Sequence, residues 1–375
     1  MPDRLSVDTP SPIQFGVWAP YRGKWVIDPH KERLVASYDL TRDMTVSAEK
    51  AGFDTILYAQ HTINPLDQTE EIQEAWTVAA AAAAITERIE IIAAIKPRLF
   101  HPVVLAKMAL GIEDISHGRF AINVVNAWFI PELERSGIGF PEHDARYAYG
   151  AEWLDVVKRL MEGETVTHEG EHFKLDAYAL RPTSRYRKRP VIYSGGESEP
   201  GRQLARDYSD VWLINGRPIE DVVGDVADMR AKGRPGTPLK FGITGFSITR
   251  ETEAEAQAAL AELFRIQDSF YDTRQQDMRK NVDPKAQTLS YGRKYNARMI
   301  GANGGTLPGF VGSYDQVAER IAAFWHIGIS TYLLSFFPLI EEQENFARHV
   351  IPRVKALIGE TGVPLAARTP ARRFA

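Results

Sequence analysis

The feature that most constrains the fold is an eightfold alternation of short apolar runs with longer amphipathic stretches. The short runs are rich in Val and Ile and mostly lack polar alternation, as is typical of strands that are covered on both faces. We predict strands at Ile13–Trp18, Phe53–Ala59, Ile89–Ile95, Arg119–Asn126, Val191–Gly195, Asp210–Asn215, Lys240–Thr249 and Thr331–Phe337. We predict helices at Thr41–Ala51, Ile72–Ile85, Val103–Ile115, Arg146–Met161, Ile219–Lys232, Thr252–Ile266 and Tyr314–Trp325. Eight such repeats favour an α/β fold of the closed (β/α)8 TIM-barrel type, with a doubly wound open sheet as the second interpretation.

Two segments depart from this repeat. Thr165–Leu175 has the pattern of a hairpin with its turn at Glu169-Gly170, and Gln267–Gly312 lacks clean periodicity. The second segment is either a solvated insertion or a mobile lid, and long irregular insertions are usually functional or disordered, which favours the lid. Barrels with insertions exceed 400 residues as one domain, so the 375 residues are interpreted as a single domain.

Composition excludes several classes of function. The net charge of −4 gives no broad basic surface, which argues against nucleic acid as a partner. No apolar run approaches the ~20 residues of a membrane span, and the polar first residues do not have the pattern of a signal peptide. The absence of cysteine excludes disulfides and thiolate metal sites, and no His or carboxylate cluster has convincing metal-ligand spacing. We therefore expect a cytoplasmic enzyme without a metal site.

The carboxyl ends of barrel strands are where chemistry is expected. The second strand ends at Gln60-His61, the third at Lys96-Pro97-Arg98, and the fourth at Asn123 with Trp128 just beyond it. An imidazole at a strand end can donate a hydrogen bond to a ring atom of a bound ligand or move a proton. A lone His, however, is more often a packing or hydrogen-bonding residue. Lys96 and Arg98 are possible anion contacts, although a cation at a strand end is more often simply solvated.

Ser194–Ser198 has the pattern of a phosphate-binding turn. A strand runs into Gly195-Gly196, and a helix begins near Pro200, so free N–H groups at the helix start can attract an anion. By itself this pattern fits an ordinary βα turn equally well. Farther upstream, Asp144 is predicted to cap a helix whose first turn contains Arg146 and Tyr147.

Taken together, these segments resemble the bacterial-luciferase-like flavin-dependent monooxygenases. The resemblance is greatest to the branch that contains alkanesulfonate monooxygenase, dimethylsulfone monooxygenase and the pyrimidine oxygenase. The matching stretches are Phe15–Trp18, Ala51–Asp54, Ile112–Asn126, Glu142–Tyr147, Tyr193–Ser198 with Asp210, Phe241–Ile243 and Ser335–Glu342. No single stretch is specific, but their order and spacing along nearly the whole chain are.

The resemblance implies a (β/α)8 barrel with a late insertion that binds FMN, as FMNH2, at its mouth. It also implies a separate NAD(P)H-dependent flavin reductase that supplies the FMNH2. The implied substrates are O2 and a small molecule, and the implied assembly is a homo-oligomer. His61 and Asn123 are the catalytic candidates that it indicates. The cofactor-binding positions carried over from the family are Gln60, His61, Asn123, Glu132, Arg146, Tyr147, Gly195, Gly196 and Ser198.

Several positions depart from the alkanesulfonate enzymes. Where those enzymes carry Arg, His and Tyr side chains, this sequence has Thr244, Phe246, Phe337 and Leu339, and Asn303 stands at the Arg position of their lid. A sulfonate would be buried there without a counter-charge, which favours a neutral, sulfone-like substrate. The predicted substrate pocket consists of Trp18, Arg98, Trp128, Thr244, Phe246 and Phe337.

Alternative functions remain open from the sequence. Within the same chemistry, the alternatives are a desulfonating alkanesulfonate-type enzyme and a heterocycle oxygenase. Outside it, they are a deazaflavin-dependent oxidoreductase and a non-catalytic flavin-binding barrel. Lys96, Arg98, Arg293 or Arg298 are the candidates to replace the missing cation if the substrate is anionic.

Overall fold

Eight parallel strands close into a barrel in the computed structural model. The structure describes residues 11–19, 36–65, 68–234, 236–270, 280–285, 294–295 and 297–359. The barrel strands, in chain order, are β1 Gln14–Trp18, β2 Thr55–Tyr58, β3 Glu90–Ile95, β4 Phe120–Val124, β7 Val191–Ser194, β8 Val211–Ile214, β9 Lys240–Phe246 and β12 Ile329–Ser335. The predicted TIM barrel is confirmed, and the open sheet is wrong because β1 pairs with both β2 and β12.

Helices follow the strands and cover the outside of the barrel. They are α1 Tyr38–Ala51, α2 Ala75–Ile85, α3 Pro102–Ile115, α4 Ile130–Glu134, α5 His143–Met161, α6 Glu199–Tyr208, α7 Ile219–Lys232, α8 Glu253–Phe270, α9 Tyr314–His326 and α10 Leu339–Leu357, with a 3-10 turn at Pro97–Leu99. Their ends follow local capping chemistry. The side chain of Ser37 accepts a hydrogen bond at the start of α1, and Gly52 ends that helix with a φ of 95°, a left-handed conformation that glycine adopts at little cost.

The strand side chains form two apolar layers. Inside the barrel, Leu57, Ile92, Tyr193, Leu213 and Leu333 pack against one another. Their neighbours along the strands face the helices and join the larger core outside the barrel wall. Because both faces of every strand are covered, the strands lack polar alternation in sequence.

Several element boundaries differ from the predictions, and four of the differences bear on the argument. The predicted strand Lys240–Thr249 is two strands, because after Ser247 the chain leaves the barrel and β10 (Ile248–Arg250) pairs with β11 (Val311–Ser313). The last barrel strand begins at Ile329, two residues before its predicted start. Helix α8 continues to Phe270, so the predicted insertion begins inside a helix. Helix α5 begins at His143, so Asp144 lies in its first turn and is not its cap.

The predicted hairpin is present as β5 (Val166–Glu169) and β6 (Lys174–Tyr178), and Gly170 N–H donates to the carbonyl of Phe173 at 3.0 Å. Parts of Gln267–Gly312 are also placed. Asn303 lies over the ends of β8 and β9, where its carbonyl accepts from Gly216 N–H at 2.8 Å. Arg293 lies outside the described residues. No helix in the described part of the chain is long and apolar enough to cross a membrane.

Candidate active site at the barrel mouth

Three successive βα loops bring His61, Lys96 and Glu132 together at the barrel mouth. His61 follows β2, Lys96 follows β3, and Glu132 lies in the first turn of α4, after β4. Their exposed fractions are 5%, 1% and 2%. A buried ammonium, carboxylate and imidazole in contact are costly to assemble, so this group is a candidate for function.

The contacts within the group converge on one side of the imidazole. Lys96 Nζ lies 2.9 Å from His61 Nδ1 and forms a short ion pair with Glu132 Oε2. His61 Nδ1 is 3.2 Å from the same Glu132 oxygen. The other oxygen, Glu132 Oε1, accepts from Thr62 N–H at 2.6 Å.

Lys96 and Glu132 have shifted pKa values. Burial lowers the pKa of Lys96 to about 8, against the opposing effect of Glu132. Burial by itself would raise the pKa of Glu132, but hydrogen bonds and charges from His61 and Lys96 outweigh it and lower this pKa to about 2. Near pH 7, Glu132 is therefore ionised and most Lys96 is protonated.

Trp128 closes one side of this group. The edge of the His61 ring meets the Trp128 ring, with centroids 5.4 Å apart. The Trp128 loop is held from outside by the late segment, since Asp283 N–H donates to the Trp128 carbonyl at 2.8 Å and Ile130 N–H donates to that of Asn281 at 2.9 Å. Part of the predicted lid thus pairs directly with the wall of the mouth.

Asn123 offers a buried acceptor at the end of β4. The residue is 2% exposed, and its Oδ1 has no hydrogen-bond partner among the described residues. A buried oxygen without a partner is costly, which makes Asn123 Oδ1 a candidate acceptor for a donor on a bound group. Gln60 differs, because its Oε1 accepts from Ala75 N–H at 3.2 Å, at the start of α2.

The turn after β7 has the shape of a phosphate cradle. Ser198 is the N-cap residue of α6, yet its side chain makes no capping bond and its buried Oγ has no partner of good geometry in the described part of the chain. The Tyr147 hydroxyl lies beside it, and burial raises the pKa of Tyr147 although Ser198 lowers it. A Cβ at Gly196 would lie 2.6 Å from Tyr147 Oη, so only glycine leaves this space open. The hydroxyls, the open backbone and the helix start fit a phosphate.

Arg146 is held by the late segment. Its guanidinium forms a buried ion pair with Asp283, donates to the carbonyls of Asn126 at 3.2 Å and Pro141 at 2.6 Å, and lies 4.0 Å from the Phe140 ring centre. In this arrangement Arg146 organises the wall of the mouth. Its predicted contact with a cofactor stays a prediction.

The predicted pocket residues occupy different layers of the mouth. Trp18 packs against the inner barrel cluster and is half-buried. Thr244 donates to the Asn303 carbonyl at 2.7 Å and accepts from Gly216 N–H at 3.2 Å. Phe246 is fully buried against α8 and Ile300, and the half-buried Phe337 packs beside it. Phe246 thus supports the wall, whereas Trp18 and Trp128 remain partly accessible.

The candidate cations differ in their partners. Lys96 forms a buried ion pair with Glu132, and Arg298 forms an ion pair with Asp268 at 2.6 Å on the surface. Arg98 is half-buried; it donates to the Ile138 carbonyl at 3.3 Å and lies 4.9 Å from the Tyr149 ring centre. Among the described residues, Arg98 has no carboxylate partner.

Two buried residues near the turn were not singled out from the sequence. Glu197 Oε1 accepts from Asn215 N–H at 2.8 Å, and burial raises the pKa of this carboxyl while the nearby Arg217 opposes the rise. Arg217 pairs with Asp225 at 2.6 Å. Both side chains follow barrel strands, which was the only signal available for them in the sequence. In the described part of the chain, no His or carboxylate group has the arrangement of a metal site.

Comparison with known proteins identifies the family. Residues 13–331 match the luciferase-like monooxygenase profile. The chain therefore belongs to the luciferase-like monooxygenases, and the predicted resemblance is confirmed. It is 32% identical over 351 residues to an FMNH2-dependent dimethylsulfone monooxygenase of Pseudomonas putida, covering 92% of this chain and 96% of the relative. It is 30% identical over 352 residues to a protein of the same name from Pseudomonas fluorescens (strain Pf0-1), covering 92% and 95%. The fold is similar to that of EDTA monooxygenase from Chelativorans sp. BNC1, with a TM-score of 0.75 at 18% identity over 96% and 97% of the two chains.

Proposed function

We propose that this luciferase-like monooxygenase is the oxygenase component of a two-component system that uses FMNH2 and O2 to oxidise a small neutral sulfone. The observation that carries the proposal is the near full-length match to two FMNH2-dependent dimethylsulfone monooxygenases. The predicted catalytic and cofactor-binding residues lie at the barrel mouth, where this fold carries its chemistry.

The residues of the mouth fit a flavin mononucleotide. The turn at Gly195-Gly196, Ser198 and Tyr147 would hold the phosphate, because the Ser198 side chain makes no capping bond at the start of α6 and the glycine backbone leaves open space. Asn123 would meet the ring system with its unsatisfied amide oxygen. When bound, reduced FMN supplies the electrons that activate O2 for transfer of one oxygen atom.

The protein's own contribution is positioning and exclusion of water. Trp128 and Trp18 supply apolar surface at the mouth, and the pairing of Asp283 with the Trp128 loop covers it from outside. Excluding water prevents unproductive loss of the activated oxygen. His61, beside Lys96 and Glu132, is the group placed to hold a proton.

The uncharged residues at the positions where the alkanesulfonate enzymes carry Arg, His and Tyr favour a neutral substrate. Thr244, Phe246 and Leu339 are buried and uncharged, and Phe337 packs against the same wall. A sulfonate in that place would lack charge-assisted hydrogen bonds worth about 1.5–3 kcal/mol each, a factor of ten or more per contact. A sulfone carries no net charge, so it does not need a counter-charge in the pocket.

The test combines the protein with a flavin reductase, NADH and 18O2, and offers dimethylsulfone and a linear alkanesulfonate in competition. We expect one 18O atom in the sulfone-derived product and little sulfite release. Reductase without the protein is the control for uncoupled oxygen consumption. Absence of labelled product from the sulfone, or a clear preference for the alkanesulfonate, would overturn the proposal.

A desulfonating function is the second candidate, and Arg98 is the observation that favours it. This half-buried guanidinium at the end of β3 has no carboxylate partner in the described part of the chain. If Arg98 binds a sulfonate, Arg98→Gln will abolish sulfite release and leave sulfone turnover intact. A pyrimidine in the same screen tests the heterocycle alternative. Activity after reconstitution with a deazaflavin would identify a deazaflavin-dependent oxidoreductase. Tight flavin binding without O2-dependent turnover would identify a non-catalytic flavin-binding barrel.

The partners and cellular location follow from this function. An NAD(P)H-dependent flavin reductase must deliver FMNH2, so we place the protein in the cytoplasm, where NAD(P)H is available. We also propose a homo-oligomer. The adjacent helices α2 and α3 expose the large apolar side chains of Ile85, Val104 and Ile115, with Val104 52% exposed. Val104 and Ile115 are 11 residues apart and therefore lie on the same face of α3, and we infer that this face is the interface.

A further inference from the structure

We propose that Trp212 and Arg202 are positioning residues for the turn after β7. They orient the backbone N–H groups of Glu197 and Ser198 so that both are presented to the flavin phosphate. The identity of the anion rests on the proposed function. The inference starts from two side chains that bond consecutive carbonyl groups of the turn.

These two side chains come from different elements and lie next to each other. Trp212, from β8, donates its indole N–H to the Gly196 carbonyl at 2.9 Å. Arg202, from α6, donates its Nε–H to the Glu197 carbonyl at 3.0 Å. The guanidinium of Arg202 lies 5.5 Å from the centre of the Trp212 ring, so the two donors are neighbours.

The planar peptide bond converts these contacts into a direction for the N–H groups. In a trans peptide, the carbonyl and the N–H point to opposite sides of the chain, and both peptides of this turn are trans. Because the Gly196 carbonyl faces Trp212, the N–H of Glu197 points away from that indole. By the same argument, the N–H of Ser198 points away from Arg202. Neither N–H has a hydrogen-bond partner among the described residues.

Consecutive free N–H groups of this kind form a concavity that binds anions. The start of α6 adds its own favourable dipole, and the Ser198 side chain does not cap that helix. If the peptide after Gly196 turned over, its carbonyl oxygen would face the phosphate and repel it. The hydrogen bond from Trp212 opposes this rotation, and the bond from Arg202 opposes the equivalent rotation of the next peptide.

Arg202 acts through the backbone, because its charge is already paired. Its guanidinium lies 2.6 Å from a carboxylate oxygen of Asp225 and 3.6 Å from one of Asp228. Trp212 is fully buried and has no charge to offer. Both residues are therefore assigned a positioning role, without contact with the phosphate.

The carboxylate of Glu197 is also held by β8 and its following loop. Its Oε1 accepts from Asn215 N–H at 2.8 Å, and Arg217 Nη2 lies 3.7 Å from the same oxygen. The nearby guanidinium offsets the negative charge of Glu197, which would otherwise oppose a phosphate at the adjacent N–H groups.

The test compares two flavins that differ in the phosphate. Trp212→Phe removes the indole N–H and keeps an aromatic ring beside Arg202. We expect the affinity for FMNH2 to fall about fivefold, while the affinity for reduced riboflavin, which has no phosphate, stays unchanged. Arg202→Lys keeps a cation beside Asp225 but has no Nε–H, and it should give the same selective loss. Anaerobic titration with photoreduced flavins measures these affinities.

Trp153→Phe is the matched control. Trp153 in α5 is equally buried, and its indole N–H donates to the Phe100 carbonyl at 2.8 Å. The substitution removes the same kind of bond away from the turn. It should lower stability to a similar extent as Trp212→Phe and leave the ratio of the two flavin affinities unchanged.

NMR reports on the N–H groups themselves. In protein labelled with 15N-glutamate, FMNH2 should move the amide proton signal of Glu197 downfield, and reduced riboflavin should not. Loss of that signal in Glu197→Gln assigns it. The downfield shift should be smaller in Trp212→Phe, because fewer molecules then present the N–H to the phosphate.

The outcomes separate this inference from the proposed function. Equal loss of affinity for both flavins in Trp212→Phe, or no loss for FMNH2, would overturn the inference. Equal affinities of the parent protein for the two flavins would also overturn it. Phosphate selectivity that depends on Trp212, found together with no O2-dependent turnover, would sustain the inference and overturn the proposed function instead.

Discussion

At the scale of single residues, buried polar atoms without partners indicate where a ligand belongs. Among the described residues, Asn123 Oδ1 and Ser198 Oγ are two buried atoms without a hydrogen-bond partner of good geometry. An unpaired buried polar atom costs about 1–3 kcal/mol. Both atoms are therefore candidate contacts for the proposed flavin.

Ser198 gives the sharpest prediction at this scale. Ser198→Asp places a negative charge at the start of α6, where the phosphate is expected, and should weaken FMNH2 binding by on the order of 100-fold or more. Ser198→Ala removes one hydrogen bond and should weaken it by about tenfold. Anaerobic titration measures both affinities.

The matched control is Ser313→Ala, which removes the capping serine of a different helix, α9. It should lower stability by about 1 kcal/mol and leave FMNH2 affinity unchanged. Equal affinities of Ser198→Asp and the parent protein would rule out the phosphate assignment.

At the scale of elements, the strand–turn–helix unit of β7 and α6 depends on close backbone approach. In Gly196→Ala, the new methyl would lie 2.6 Å from Tyr147 Oη and 3.1 Å from Gly201 Cα, so the turn must shift. We expect at least a tenfold loss of FMNH2 affinity by anaerobic titration. Gly224→Ala in α7 meets no atom within 4 Å and should raise stability by up to about 1 kcal/mol without affecting affinity. Similar affinities for the two variants would contradict the cradle.

The late segment and the wall of the mouth form a second coupled unit. Asp283→Ala leaves the guanidinium of Arg146 buried without its carboxylate, at a cost of about 3–5 kcal/mol. Hydrogen exchange at the amides of Ile130 and Asp283, which join the two elements, should accelerate by on the order of 100-fold.

Asp268→Ala provides the comparison for this unit, because it breaks an exposed ion pair with Arg298 worth at most about 1 kcal/mol. Its exchange at Ile130 should match that of the parent protein. If Asp283→Ala also matches the parent, the ion pair does not hold the segment. Greater protection of Asp283 with FMNH2 bound would support the lid, and equal protection would indicate a static insertion.

At the scale of the whole molecule, the exposed apolar side chains on α2 and α3 predict association. Val104→Glu with Ile115→Glu places two charges on this face and should convert the oligomer to a monomer, as measured by light scattering after size exclusion. Val223 on α7 is similarly exposed, at 43%, and Val223→Glu should leave the mass unchanged. A monomeric parent protein would refute the interface.

The sequence by itself determined the architecture. Apolar runs such as Ile89–Ile95 with amphipathic stretches between them specify two-sided burial, and eight repeats of that pattern specify the closed barrel. The turn at Gly195-Gly196 and Ser198 was also recognisable, because glycines and a helix start are local features of the chain. Features that depend on neighbouring residues can be recognised in the sequence alone.

Only the tertiary structure decided how side chains from distant loops combine. Lys96 was interpreted from the sequence as a possible anion contact, but it is buried against Glu132, which is 36 residues away along the chain. Arg146, whose predicted contact with a cofactor stays a prediction, forms an ion pair with Asp283, 137 residues away. The break of the predicted strand at Ser247 likewise depends on pairing of β10 with the distant β11. Pairing across such separations depends on how the closed barrel aligns its loops, and no local pattern of residues encodes it.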